Sequence, residues 1–231
     1  MLIPPMYRVD GESWAVGVID RHPLALLVSN GTAVPEATQV PVVRRPGSGD
    51  DLLTGTSLLG HMNRTNPHWA SLSDGTTAKL VFTGPGGYVS PTLYHTDVAA
   101  PTWDFVTVHL LGTVRLATDL AESLSVVTTT ARTLESRFGE GFDFHASHEY
   151  HRSIAPGVGA FSFHVEKVEA MFKLSQEKSP EIQERVMAWF ADGHGGPGTD
   201  IVGTMRELGL GEGVAEEGEA RIGLNPQPHS A

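Results

Sequence analysis

The apolar residues of this chain come in short runs, and glycine or proline marks most of the breaks between them. Gly occurs 26 times and Pro 15 times among 231 residues. The runs are of strand length, and the clearest alternates at period two: Phe161, Phe163 and Val165 against Ser162, His164 and Glu166. Closely cornered short strands in an irregular order do not make a helical bundle or a regular βαβ repeat. They predict an α+β domain around a small antiparallel barrel, since Gly-rich corners favour closing the sheet over leaving it open.

The pattern along the chain places a short helix at Trp14–Ile19, strands at 22–28, 37–43 and 52–59, and a helix opened by Asn66 as N-cap with Pro67 at its first position. A strand at 78–83 ends at Gly84-Pro85-Gly86-Gly87, extended chain follows over 88–94, and 103–116 is the longest strand. Asp119 and Glu122 form a capping-box-like start to a helix over 119–138, with Leu120, Leu124, Val127, Ala131, Leu134 and Phe138 on its apolar stripe. A strand region at 159–174 is followed by a helix from Ser179-Pro180 to about Phe190 and a short one at 200–208. The domain reading is a barrel over residues 1–190, a linker and short helix over 191–210, and a disordered Gly/Glu/Pro-rich tail over 211–231.

Zero cysteine excludes disulfides, thiolate haem ligation, iron–sulfur clusters and a Cys nucleophile. Sixteen basic against 27 acidic residues leave a net charge of −11, which argues against a broad phosphate-binding surface and so against nucleic acid. No apolar run approaches the roughly 20 residues of a membrane span, and the first residues carry no signal-peptide pattern, so the expectation is a cytoplasmic protein.

The densest polar stretch is Gly60-His61-Met62-Asn63-Arg64-Thr65-Asn66-Pro67-His68-Trp69. A helix N-terminus with Arg64 beside it can clamp an anion, and an imidazole next to such a clamp suits a flavin phosphate or a haem propionate. Equally, these side chains satisfy a buried turn. Gly84-Pro85-Gly86-Gly87-Tyr88 offers either close backbone approach to a flat ligand with Tyr88 stacked on it, or a plain β-corner. Lys173 and Ser175 share one strand face with Gln176 beside them, fitting a phosphate contact or a solvated strand end. His145, His148 and His151 have metal-ligand spacing without a carboxylate partner, and read better as an exposed face. There is no Gly-x-Ser-x-Gly elbow and no dinucleotide fingerprint.

Four motifs in fixed order carry a resemblance: Gly60-His61-x-x-Arg64-x-Asn66-Pro67; Phe82-x-Gly84-Pro85-x-x-Tyr88-Val89-Ser90-Pro91-x-x-Tyr94; Pro101-Thr102-Trp103 with Val108-His109 and Gly112; and Phe172-Lys173-Leu174-Ser175-Gln176. Together they resemble the PaiB-type family, labelled FMN-binding negative transcriptional regulators, over about residues 1–190. The resemblance implies a split β-barrel of the flavin-reductase type with peripheral helices, a homodimer, and two sites at the subunit interface. Within the family the chain is similar to the piperazate synthases, through residues 60–69, Thr83-Gly84-Pro85, residues 99–103, 134–139 and 157–161. Those are haem enzymes that convert N5-hydroxy-L-ornithine to L-piperazic acid with formation of a nitrogen–nitrogen bond.

That resemblance implies haem b, with FMN as the alternative cofactor. It implies His61 as axial metal ligand and His61, Arg64 and Tyr88 as catalytic residues. Cofactor contacts are implied at Asn63, Arg64, Ser90, Tyr94, Trp103, Lys173, Ser175 and Gln176. In the flavin alternative Arg64, Ser90 and Lys173 hold the phosphate. Two positions depart from the family pattern: Gln39 stands where a His is common, and Asp104 where an Asn is common.

Overall fold

The computed structural model describes residues 1–49, 51–96, 98–196 and 200–211. Six strands close a barrel in the order β1-β2-β3-β6-β5-β4, every neighbouring pair antiparallel. They are β1 (Leu24–Ser29), β2 (Glu36–Arg44), β3 (Ser57–Asn63), β4 (Thr76–Val89), β5 (Thr102–Leu116) and β6 (Val158–Lys173). The helices are α1 (Ser13–Arg21), α2 (Pro67–Ser71), α3 (Leu120–Phe138), α4 (His148–Ile154), α5 (Pro180–Ala191) and α6 (Ile201–Glu207).

Period-two patterning fills the barrel. Leu27, Val42, Leu58, Met62, Phe82, Val108, Phe161 and Phe163 point inward and are buried. Each fully buried side chain of this size contributes about 1.5–3 kcal/mol. Close packing also fixes two glycines. A Cβ on Gly60 would lie 2.5 Å from the Phe161 ring, and one on Gly112 would lie 1.9 Å from the His164 carbonyl oxygen. Gly112 sits where the β5–β6 register shifts.

The third strand begins later than its apolar run suggests. Residues 52–56 form a turn with Gly55 at φ +80°, and the Glu12 carboxylate accepts from the amides of Leu53 and Thr54. Leu53 is buried from that turn, so its hydrophobicity mimics a strand residue. Gly84–Gly87 is not a corner. β4 runs through it, with a register shift between Thr83 and Gly86, and 91–94 turns as a 3-10 helix.

On α3 the buried residues are Ser123, Val126 and Thr130, not the predicted stripe, and Leu120 and Phe138 are exposed. Val126 packs with Val43, Leu59 and Ala160 on the outer wall of β2, β3 and β6. Ile201, Val202 and Met205 of α6 enter the main core. Residues 212–231, most of the predicted tail, lie outside the described residues. Among the described residues no helix is long and apolar enough to cross a membrane.

Candidate functional site

On β3, Leu58, Gly60 and Met62 face the core, so His61 and Asn63 face outward from the barrel wall. β2 lies alongside with Val42 opposite Gly60, which brings Gln39 and Pro41 to the same outer face. Across β3, Ala160 of β6 stands directly opposite His61. The end of α4 and the start of β6 add Ile154, Gly157 and Val158. These elements enclose an open-sided cavity of about 470 Å3, lined by His61 together with Gln39, Asn63 and Asn66. Its lining carries no formal charge.

His61 is partly buried, and burial pushes its pKa below the ordinary imidazole value. Its Nδ1 is sealed from solvent without a hydrogen-bond partner. The ring is therefore held neutral, the form in which imidazole ligates metals. Asn66 caps α2 by accepting from the His68 amide at 3.0 Å, and its Nδ2 reaches Thr38. Asn63 caps the following turn through the Thr65 amide and hydroxyl. Of the three amide side chains at the cavity, Gln39 is the one for which no internal hydrogen bond is seen among the described residues.

His68 belongs to the scaffold. It is buried, with Nε2 2.9 Å from the Ser29 hydroxyl and Nδ1 2.9 Å from the Thr38 hydroxyl, so neither nitrogen faces the cavity. It sits in the first turn of the five-residue α2. Arg64 is exposed, its guanidinium 5.8 Å from the Trp69 ring. Among the described residues no group of three His, Asp or Glu side chains could hold a metal, His145, His148 and His151 included.

The remaining predicted residues cluster at the other end of the barrel. Lys173 pairs across β5–β6 with Phe105, while Ala160, opposite His61, lies near the start of the same strand. At about 3.3 Å per residue, the path along β6 between those points is on the order of 40 Å. Exposed Tyr88 and Trp103 form a tilted ring pair at 6.3 Å. Lys173 donates to the Thr102 hydroxyl and, at 2.8 Å, to the Trp103 carbonyl. Ser90 caps the 3-10 turn through the Thr92 amide.

Two predicted cofactor contacts are engaged internally, and a third, Tyr94, is buried with its hydroxyl unpartnered. Ser175 is fully buried at φ +63° and donates to Asp104 Oδ2 at 2.7 Å. Gln176 accepts from the Leu174 amide and donates to the Phe172 carbonyl. Tyr94 is buried with the Lys178 ammonium 4.5 Å above its ring. Asp104, unremarked in sequence except as a departure, is fully buried and its Oδ1 has no partner. Burial pushes its pKa up to about 6, against the opposing Ser175 hydrogen bond and Lys173 charge.

A family model described as "Putative FMN-binding domain" matches residues 1–167. The chain is similar to the Bacillus subtilis protease synthase and sporulation protein PAI 2, with 24% identity over 181 residues, 78% of this chain and 84% of that protein. Among solved structures it is similar to a FAD and heme binding protein from Mycobacterium smegmatis, at 17% identity and TM-score 0.51 over 71% of this chain and 72% of that one. It is also similar to the flavocytochrome Anf3 from Azotobacter vinelandii, at 16% identity and TM-score 0.50 over 97% and 84%. At these identities the two structures speak to the fold alone. With the family model covering most of its length and the barrel closed as described, the chain belongs to the FMN-binding domain family, PaiB-like proteins on the split-barrel flavin-binding fold.

Proposed function

We propose that this chain is a haem-dependent piperazate synthase that closes N5-hydroxy-L-ornithine to L-piperazic acid. The observation that carries the reading is His61: a neutral imidazole on the outer wall of the barrel, facing an uncharged, open-sided cavity. The residues present fit iron porphyrin. A neutral nitrogen donor is in place, Pro41, Ile154 and Val158 give apolar walls for a flat macrocycle, and the amides leave no competing anionic ligand. The M. smegmatis and A. vinelandii neighbours are described as heme-binding and as a flavocytochrome, which supports haem on this fold.

The reaction forms a bond between the α-nitrogen and N5 and breaks the N5–oxygen bond. The hydroxyl departs with a proton lost from the α-amine, as water, and no external oxidant or reductant is consumed. Haem iron would supply a Lewis-acid position for the hydroxyl oxygen. The chain's own residues then have three tasks. His61 holds the metal. The apolar walls exclude bulk water. Gln39, free to hydrogen-bond into the cavity, orients the substrate so that its two nitrogens meet, and such orientation supplies a large part of the barrier reduction.

An uncharged cavity leaves the cations for propionates and for the substrate carboxylate to come from its rim and from outside. We assign Arg64, which directly follows the lining residue Asn63 in sequence, to this role. Lys173, with Tyr88 and Trp103 beside it, sits at the end of the β4–β5–β6 sheet away from that cavity. We therefore place them in the site from a second subunit of a homodimer, whose closure over the open side would complete it.

A second reading is FMN binding without ring closure. The family assignment supports it, and the exposed Tyr88–Trp103 pair beside Lys173 suits a planar anionic ligand. Purified protein supplied with haem and, separately, with FMN distinguishes the two. The haem reading expects a Soret band that His61→Ala abolishes, and piperazic acid from N5-hydroxy-L-ornithine. A flavin spectrum with no haem uptake overturns it.

A further inference from the structure

The two nitrogens of His61 have unlike surroundings. Nδ1 is sealed and unpartnered, although the side chain as a whole reaches the cavity. The seal is made by this chain's own atoms, so neither water nor a bound group nor a second subunit can bring Nδ1 an acceptor. Its immediate neighbours on the outer wall are apolar, Pro41 on β2 and Ala160 directly opposite on β6. Nε2 is left as the nitrogen a cavity ligand can reach.

A metal-bound histidine usually donates its other N–H to a carboxylate, carbonyl or water, and that hydrogen bond strengthens it as an electron donor. For Nε2 to offer a lone pair, the neutral ring must carry its proton on Nδ1. Here that proton points at nothing that accepts it. We infer that His61 is an unassisted axial ligand: it binds through Nε2, and the apolar seat behind Nδ1 withholds the hydrogen bond that would make it a stronger donor. This rests on the haem reading proposed above.

The arrangement suits the reaction. An electron-poor metal held by His61 would supply Lewis acidity toward the hydroxyl oxygen of N5. A strongly donating axial ligand, which favours pushing electrons into an O–O bond, would oppose it. The seat thus selects for Lewis acidity, and it also favours the reduced iron over the oxidised one.

The test is resonance Raman spectroscopy of the full-length protein loaded with haem b and reduced, with 15N-histidine labelling to identify the iron–histidine stretch. Two reference compounds bracket the result: a five-coordinate haem–imidazole complex in a non-hydrogen-bonding solvent, and the same complex with a carboxylate acceptor added. The expected stretch matches the first, accompanied by a midpoint potential nearer to the first than to the second. A stretch at the frequency of the acceptor-bound complex overturns the inference while leaving the haem reading intact. An unchanged axial stretch in His61→Ala overturns the inference, because another histidine then holds the iron, and absence of a Soret band overturns the haem reading and this inference with it.

Discussion

Asp104 is an unfavourably placed side chain, a carboxyl with no exposed surface and one oxygen without a partner. Its pKa rises from an ordinary 3.8 to about 6 because burial outweighs the Ser175 hydrogen bond and the Lys173 charge, and nearby Glu177 pushes the same way. A raised carboxyl favours the protonated folded state. Its stability contribution is therefore full below pH 4 and is lost as pH rises to about 6, a decline of about 3 kcal/mol. Asp104→Asn is neutral at every pH and can still accept from Ser175. It should flatten that decline and gain about 2 kcal/mol at pH 7, read as urea midpoints at pH 4.5 and 7. His68 answers to a different rule, since both ring nitrogens are occupied inside the scaffold. His68→Ala leaves two hydroxyls facing a void and should cost about 2–4 kcal/mol in the same measurement. At the cavity, the lowered pKa of His61 means that protons compete with iron only below the usual imidazole range. Bound haem should therefore be released only below the usual imidazole range, followed by the Soret band.

Strand periodicity explains most of the elements, because a half-buried strand must alternate and β6 does so plainly over residues 161–165. Where the pattern misleads, a local bond is the reason. Leu53 looks like strand but is pinned in a turn by Glu12. Ser123 and Thr130 look like the solvent face of α3, yet each hydroxyl bonds a carbonyl four residues back in its own helix, so both can be buried without an outside partner. The same kind of blindness affects the site. His61 and its outward face follow from alternation along β3, but nothing in Phe172-Lys173-Leu174-Ser175-Gln176 reveals that Ser175 and Gln176 turn inward to hold their own strand end. Gly112 is an element-scale test of the barrel's closure. Gly112→Ala would drive a Cβ into the His164 carbonyl at the register shift, and should destabilise by about 3 kcal/mol or leave the protein insoluble, measured by denaturant unfolding.

At the scale of the molecule, the predicted site residues fall into two groups at opposite ends of β6, and the homodimer proposal joins them across subunits. Mixing decides it. A His61→Ala chain and a Lys173→Ala chain, each inactive alone, should regain activity when unfolded and refolded together, to about a quarter of wild type, because half the dimers are mixed and carry one intact site in two. Recovery of nothing, with mixed dimers demonstrated by mass, would place both groups in one chain's site. The outward placement of His61 has a further consequence. The barrel wall has two sides with separate duties: Leu58, Gly60 and Met62 keep the chain folded, while Gln39, Pro41 and His61 meet whatever binds. Randomising those outer positions would sample new ligands and chemistries on an intact scaffold, so this wall is a natural surface on which to breed catalysts without first rescuing their stability.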